Sequence, residues 1–451
     1  MKKIIILYPA DNLLNESILF PKIFPNLDDF SNYEIQVVGR ISEKQFKEHY
    51  PIKSRYIDFF EGFGEIERVG EKEIRETEKT LGMNLEFLKY SIKRRWGWSH
   101  NSSKLDKRLV EYTNQFKKIL KGADLVVSFL ENLFFINVGE QVAKSMGIKV
   151  VRIGRSEIIK NGMIFWDESN DPIFYKKKIN LEAYEMLRKR VSSQRETIKI
   201  DKGAMNNLGK IVEKIPQIPK KLGVIGKDKN TKFDIDVPPI YQKYKRLGSV
   251  SLRYMVYPPI HRLFFDKSRE NEEFFLLPLH YEWEAQIALR EPFLNQLELA
   301  KKIALALPHG TKLYVKVHPH WKNADQGLGA VMDLKKIEGI RLIRPNENTM
   351  DLIEKSIGVI VINSTVGYEA LALGKPLIVL GHEIYRKAGF EIRDLNELPY
   401  LLAKIRNKEA KIDQKEVEDF LKKYTTHVIY KEGKEQFIDE FKAFVDFCTS
   451  K

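Results

Sequence analysis

The chain has 451 residues, of which 43% are hydrophobic and 31% are charged. A chain of this length is too long for one ordinary core, so we expect two domains. No segment approaches the roughly 20 apolar residues that a membrane span needs. The apolar start, "MKKIIILYPADN", meets Pro9 and Asp11 too early for a secretion signal. One cysteine, Cys448, excludes a disulfide framework and a cysteine-based zinc site, which favours a reducing, cytoplasmic setting.

The chain is basic, with 76 lysines and arginines against 62 acidic residues and a formal net charge of +14. This excess favours an anionic partner, which could be nucleic acid, anionic lipid or a phosphorylated substrate. A lysine-rich solvated surface explains it equally well, because acidic residues are interleaved along the chain. No recognised nucleic-acid-binding motif accompanies the charge, so we expect no nucleic-acid partner.

Short β-branched runs alternate with helix-length segments in two parts of the chain. The first part has predicted strands at residues 2–9, 33–40, 123–130 and 148–154 and a helical pattern at 108–120. The second has strands at 273–279, 312–317, 340–345, 358–363 and 376–381 and helices at 292–307, 349–355 and 368–373. This alternation is typical of βαβ units and parallel sheets. The predicted fold class is α/β with two doubly wound, Rossmann-like domains.

Residues 180–271 differ in composition and are rich in lysine, proline and aromatic residues. This composition predicts helices and a long connection. Lysines pointing outward explain this composition most simply, although it would also suit an anionic membrane surface or a channel for a charged polymer. Residues 415–447 predict an amphipathic helix. The expected domains are 1–180, a connecting region at 181–271, a second Rossmann-like domain at 272–410, and C-terminal helices at 411–451 that pack back on the first domain.

Signatures of several common enzyme classes are absent from the sequence. It contains no P-loop, dinucleotide-binding glycine motif, zincin motif, EF-hand loop or nucleophile elbow. A D-x-D pair, Asp234 and Asp236, stands before "VPP" rather than after a strand. We interpret this pair as a chance occurrence.

The stretch "GVIVINSTVGYEALALGKPLIVLG" is the most informative in the chain. A buried strand is predicted to end at Asn363, with Ser364 or Thr365 as the N-cap of a short helix that Gly374 ends. Backbone N–H groups, the helix dipole and two hydroxyl groups would then converge at a strand end, as a phosphate requires. Glu369, about one turn into the helix, could accept hydrogen bonds from ribose hydroxyls. An ordinary capped helix is the alternative.

The stretch "LYVKVHPHW" ends another predicted strand of the same sheet. His318 would therefore face the same edge, where an imidazole can donate to a phosphate, Lys316 adds charge and Pro319 rigidifies the turn. A histidine at a strand end is often structural, but its pairing with the Ser-Thr helix start favours a functional role. His320 and Trp321 are expected at the rim.

Other strand ends also carry polar residues. "PLHYEWEAQ" places His280, Glu282 and Glu284 after a strand, where they would position a sugar or nucleotide rather than a metal ion. In the N-terminal half, Arg152 and Arg155 follow a strand and could bind an anion. Asp11, Glu16 and Glu131 follow predicted strands as well, and each could act as a general base or merely cap a helix.

Three of these motifs, "LPLHYEWEAQ", "LYVKVHPHW" and "VINSTVGYEALALGKPLIVLG", occur in that order with "RIGR" upstream. Together they resemble the capsule polysaccharide biosynthesis family of GT-B glycosyltransferases, which includes bacterial Kdo transferases. The resemblance is close over residues 274–395 and faint before residue 147. It implies that His318-Pro319 and Ser364-Thr365 bind the nucleotide phosphate of a CMP-activated sugar. Trp283 departs from the family, which has proline there.

The resulting hypothesis is an inverting GT-B enzyme whose two domains face each other across a cleft, without a metal ion or cofactor. It would transfer a sugar from a nucleotide donor to a surface polysaccharide or glycolipid, in the cytoplasm and in peripheral contact with the inner face of the membrane. Asp11 or Glu131 would deprotonate the acceptor. The predicted donor-site residues are His280, Glu282, Lys316, His318, Pro319, Asn363, Ser364, Thr365, Gly367, Glu369 and, from the first domain, Arg152.

Two rival functions belong to other classes. A sugar-nucleotide epimerase of similar architecture would convert the donor without any polymer acceptor. A non-catalytic polysaccharide-binding protein would bind glycan and release no nucleotide.

Overall fold

The computed structural model describes residues 1–8, 30, 32–49, 55–63, 69–96, 102–129, 133–156, 162–168, 171–176, 178–182, 184–185, 233–236, 264–280, 295–318, 328–345, 347–430 and 434–450. Contacts divide the chain into two units. The first comprises Met1–Tyr175, Leu208–Gln242 and His427–Lys451, and the second comprises Lys176–Asn207 and Lys243–Thr426. Part of the expected connecting region and the end of the chain therefore belong to the first unit.

The first unit contains a seven-stranded sheet. Its strands are β1 (Lys2–Leu7), β2 (Tyr33–Gly39), β3 (Arg55–Asp58), β4 (Leu125–Phe129), β5 (Lys149–Arg155), β6 (Gly162–Trp166) and β13 (Ile429–Tyr430), in the order β13-β6-β5-β4-β1-β2-β3. The five strands from β3 to β5 are parallel, and β6 is antiparallel to both of its neighbours. The central strand β1 has four consecutive fully buried residues, as expected for a strand covered on both faces.

The helices of the first unit lie before, between and after these strands. They are α1 (Glu43–His49), α2 (Glu71–Leu81), α3 (Leu85–Trp96), α4 (Ser102–Ile119), α5 (Phe134–Ser145) and α12 (Lys434–Thr449). Phe441, Phe444, Val445 and Cys448 of α12 are buried in one cluster with β1, β2, β4, β5 and β6. The last helix thus completes the core of the first unit.

The second unit contains a six-stranded sheet in which every pairing is parallel. Its strands are β7 (Phe274–Pro278), β8 (Lys312–Lys316), β9 (Ile340–Ile343), β10 (Gly358–Val361), β11 (Leu377–Val379) and β12 (Phe390–Glu391), in the order β12-β11-β10-β7-β8-β9. Its helices are α6 (Gln296–Leu305), α7 (Leu328–Lys335), α8 (Thr349–Lys355), α9 (Val366–Ala372), α10 (Leu398–Arg406) and α11 (Gln414–Thr426), and 3₁₀ helices cover Ile384–Ala388 and Leu395–Glu397.

The predicted fold class, two doubly wound α/β domains, is confirmed by these sheets and helices. In each sheet the first strand of the unit lies centrally and the chain order reverses beside it, between β1 and β4 and between β7 and β10. Ligands of doubly wound sheets bind outside the carboxyl ends of the strands at such a reversal. Within the described residues, no helix is both long enough and apolar enough to cross a membrane.

The amphipathic helix predicted at residues 415–447 is interrupted. The chain there forms two helices, α11 and α12, and between them the short strand β13 pairs with β6. The apolar periodicity continues on both sides of the interruption, because each helix buries one face. A two-residue strand gives no periodic signal of its own.

The Asp234-Asp236 pair has a structural role, as part of a buried ionic contact of the first unit. Arg40, which follows β2, places its Nη1 2.5 Å from Asp234 Oδ2 and 4.0 Å from Asp236 Oδ2. The two Asp236 carboxylate oxygens accept the backbone N–H groups of Phe134 (2.8 Å) and Phe135 (2.9 Å). Leu133, the N-cap of α5, makes no side-chain cap bond, so Asp236 satisfies the first amides of that helix.

Replacing Arg40 with methionine should lower the free energy of unfolding by about 3–5 kcal/mol, because Asp234 would stay buried without its cation. Urea-induced unfolding measures this loss. Arg75→Met is the control, since its ion pair with Glu71 is exposed and such pairs contribute about 1 kcal/mol or less. Equal effects of the two substitutions would contradict a stabilising role of the buried pair.

Candidate functional site

Three parallel strands of the second unit end side by side at one edge of the sheet. Pro278 of β7 is paired with Lys316 of β8, and Leu276 of β7 is paired with Val359 of β10. This register places the residues two positions beyond the strand ends, His280, His318 and Asn363, at the same level. Strands β8 and β10 flank β7, so their ends lie about 10 Å apart at the usual strand spacing.

The end of β7 is joined directly to the end of β10, where the chain order reverses. The buried His280 accepts the Asn363 backbone N–H at Nε2, with an N···N distance of 3.3 Å. The side chain of Gln296, fully buried at the start of α6, bonds to both the N–H (2.7 Å) and the carbonyl (3.3 Å) of His280. His280 therefore holds the Ser-Thr turn that follows Asn363 in register with β7.

The turn itself is closed by internal hydrogen bonds. The N–H groups of Val366, Gly367 and Tyr368 donate to Ser364 Oγ (3.3 Å), Ser364 O (2.9 Å) and Thr365 O (3.1 Å). These three amides are therefore used within the turn. Thr365 is the N-cap of α9, in helical conformation with no side-chain cap bond, and its side chain is exposed. The hydroxyls of Ser364 and Thr365 lie at the same turn.

Two glycines allow close contacts around this turn. A Cβ on Gly381, just after β11, would lie 2.1 Å from Asn363 Oδ1 and 2.8 Å from the Ile362 carbonyl. A Cβ on Gly367 would lie 2.6 Å from the Tyr385 ring. Both distances are shorter than van der Waals contact allows, so the Asn363–Gly367 segment needs these two residues to lack side chains.

Lys316, the last residue of β8, carries a buried amino group near acidic residues. Its Nζ donates to the Pro345 carbonyl at 3.1 Å, and its side chain is 5% exposed. Burial lowers the pKa of Lys316 to about 8, partly offset by the charges of Glu347 and Glu369. Glu369 lies on α9, so β8 and the Ser-Thr helix are within electrostatic reach of each other.

The structure describes some of the predicted site residues and not others. His318 is half-buried directly after Val317, and Glu369 is half-buried on α9. Asp11, Glu131, Glu282 and Pro319 lie outside the described residues. Among the described residues, histidine, cysteine and acidic side chains form no group of three that could hold a metal ion.

Arg152 belongs to the sheet of the first unit and has a structural partner. Its Nε and Nη2 donate to the two carboxylate oxygens of the buried Glu140 on α5, at 2.8 and 2.5 Å. Its Nη1 donates to the carbonyls of Asp167 and Glu168. All three guanidinium nitrogens of Arg152 therefore donate to oxygens within the first unit, as in a structural ion pair.

Three residues that shape this edge were not predicted from the sequence: Gln296, Gly381 and Tyr385. Gln296 is fully buried and falls on the apolar face of α6. A polar residue at an apolar position of a helix is a signal that the sequence carries. Tyr385 lies in a 3₁₀ helix and donates its hydroxyl hydrogen to the Ser364 carbonyl at 2.8 Å. Nothing in its local sequence indicates a contact 21 residues away.

The second unit thus defines a doubly wound α/β domain whose carboxyl edge presents an imidazole, a buried ammonium group and two hydroxyls. Residues 239–429, less than half of the chain, match the family model described as "Capsule polysaccharide biosynthesis protein". The resemblance drawn from the His-Pro and Ser-Thr motifs is confirmed for this part of the chain. Over these residues the chain is similar to that family. No curated protein matches the sequence.

Several solved structures are similar to most of the chain at low identity. The KpsC beta-Kdo 2,7 transferase of Thermosulfurimonas dismutans is 16% identical, with 80% of this chain and 96% of that chain covered and a TM-score of 0.35. The UDP-GlcNAc 2-epimerase of Methanocaldococcus jannaschii is 16% identical, with coverage of 93% and 98% and a TM-score of 0.28. The calicheamicin glycosyltransferase CalG4 is 13% identical, with 98% of each chain covered and a TM-score of 0.32. Likeness at this level assigns no activity to the chain.

Lys316→Met should remove a rise in stability that the wild-type protein shows at alkaline pH. The pKa of Lys316 is about 8 when folded and 10.5 ordinarily, so the folded protein loses this proton first as the pH rises. Stability therefore increases between these two values, by about 3 kcal/mol in total. Urea-induced unfolding at pH 7.5 and pH 10 measures the difference. An identical pH dependence in the variant would contradict the lowered pKa.

Proposed function

We propose that the protein is a glycosyltransferase of capsule polysaccharide biosynthesis that uses a nucleotide-activated sugar, with a CMP-sugar favoured as donor. The observation that carries the proposal is the common level of His318 and the Ser364-Thr365 turn at the carboxyl edge of one parallel sheet. The family match over residues 239–429 supports the same function. The acceptor would be a growing surface polysaccharide or a glycolipid.

The residues of this edge suit the chemistry of a nucleotide leaving group. His318 and the hydroxyls of Ser364 and Thr365 would donate hydrogen bonds to the phosphate, and Lys316 would add positive charge from the same face. Glu369 on α9 would accept hydrogen bonds from the ribose. Preorganised donors stabilise negative charge that develops on the leaving phosphate, which is the part a divalent ion plays in other transferases. The proposed reaction is therefore metal-independent.

The remaining parts of the proposal concern the acceptor side. Asp11 or Glu131, each following a central strand of the first unit in the sequence, would deprotonate the acceptor hydroxyl. Direct attack on the anomeric carbon would invert its configuration. The proposal includes peripheral contact of the basic chain with an anionic membrane.

A screen of nucleotide sugars, with and without acceptor oligosaccharide, tests this function. Acceptor-dependent release of nucleotide together with an extended oligosaccharide supports a transferase. Conversion of the donor sugar in the absence of acceptor would establish an epimerase instead. Binding of oligosaccharide without release of any nucleotide would establish a non-catalytic binding protein.

His318→Ala should reduce sugar transfer by about a hundredfold or more, the usual cost of removing one donor to a developing anion. The initial rate of nucleotide release measures the effect, and the melting temperature reports the fold. His309→Ala is the matched control, because His309 is an exposed histidine of the same unit. Turnover of His318→Ala close to that of the control would overturn the assignment of the donor site.

Nucleotide affinity should fall as the pH rises from 7 to 9.5, by up to about tenfold per pH unit. A bound phosphate stabilises the Lys316 ammonium group, whose pKa is about 8 without ligand, so binding takes up a proton in this range. Calorimetric titration with CMP or CDP at several pH values measures the trend. Lys316→Met should bind more weakly and with a flat pH profile. A flat wild-type profile would rule out Lys316 as a phosphate contact.

A further inference from the structure

Tyr385 lies in the 3₁₀ helix Ile384–Ala388 and is completely buried against the Ser-Thr turn. Its hydroxyl donates to the Ser364 carbonyl at 2.8 Å. Its ring stands edge-on to the ring of Tyr368, with centroids 4.7 Å apart, and covers Gly367 so closely that a Cβ there would lie 2.6 Å away. One side chain thus contacts the turn by a hydrogen bond, a ring contact and a steric contact.

The Ser364 carbonyl receives two donors from different parts of the chain. Gly367 N–H donates to it at 2.9 Å from within the turn, and Tyr385 donates from the segment after β11. Together they fix the orientation of the peptide plane between Ser364 and Thr365. The direction in which the side chains of these two residues leave the backbone depends on that plane.

Asn363, the residue before the turn, is held by residues that follow the strands β7 and β11. His280 accepts the Asn363 N–H, and Gly381 permits close contact between the end of β11 and the Asn363 side chain. The turn is therefore fixed at one end by the loop after β7 and at the other by the segment after β11. Tyr385 supplies a side-chain hydrogen bond to a backbone oxygen of the turn, at Ser364.

We propose that Tyr385 is a positioning residue, whose hydroxyl sets the Ser364-Thr365 turn in the conformation that receives the nucleotide phosphate. This inference rests on the proposed function of the turn. Tyr385 touches no substrate in this role. It acts through the Ser364 carbonyl, so losing the hydroxyl should impair nucleotide binding without removing any ligand contact.

Tyr385→Phe tests the proposal, because the ring and its packing remain while the hydrogen bond to Ser364 is lost. We expect about tenfold weaker binding of CMP by calorimetry and faster amide hydrogen exchange across Ser364–Tyr368 in the ligand-free protein. Tyr314→Phe is the matched control. Tyr314 is a buried tyrosine of the same sheet whose hydroxyl donates to Glu272 at 2.6 Å, and its loss should leave both readouts at wild-type values.

The two measurements separate this inference from the function on which it rests. Wild-type protein that binds none of CMP, CDP and UDP would overturn both the proposed function and the positioning role. Wild-type binding with unchanged affinity or unchanged exchange in Tyr385→Phe would overturn the positioning role alone. Gly367→Ala is a second variant, since its methyl group would push the Tyr385 ring off the turn, and it should weaken CMP binding in the same way.

Discussion

The hydrogen bond between the Asn363 amide and the His280 imidazole joins the two strands at which the chain order of the second sheet reverses. At such a reversal the connections leave in opposite directions and open a space beyond the strand ends. The bond keeps the two strand ends level, and the Ser364-Thr365 turn follows directly from one of them. The arrangement of the candidate site thus depends on a contact between a side chain and a backbone amide 83 residues apart.

Polar groups have different uses at the corresponding edges of the two sheets. In the first unit, Asp236 satisfies the opening amides of α5 and Arg40 neutralises Asp234, so the charges beside the reversal are paired within the protein. In the second unit, the buried ammonium group of Lys316 bonds to a backbone carbonyl and has only Coulombic interactions with Glu347 and Glu369. A buried cation whose nearest hydrogen-bond partner is neutral is better suited to an incoming anion than one already paired with a carboxylate.

The sequence predicted the parts of the fold that rest on local patterns. Short runs such as "KKIIIL" and "KLYVK" were recognised because strands buried on both faces are rich in apolar residues, and α8 at Thr349–Lys355 was predicted with its observed bounds. Strands β12 and β13, of two residues each, were missed because pairing rather than composition defines them. The residues of the candidate site divide in the same way, into those that local sequence patterns predicted and those that they did not. His318 and Ser364 stand beside their strands in the sequence, whereas Tyr385 reaches the turn and Gln296 reaches His280 only through tertiary structure.

Residues from the beginning and from the end of the chain form the first unit, and this affects how the unit folds during synthesis. Strand β13 and helix α12 leave the ribosome after all of the second unit, yet α12 supplies Phe441, Phe444 and Val445 to the core around β1. One face of the N-terminal sheet therefore stays incompletely covered while the about 250 residues between Tyr175 and His427 are translated. Contacts of such large sequence separation slow folding and leave apolar surface exposed to misassociation. The core of the first unit is thus completed only by residues 427–451, and their removal would damage that unit rather than the second.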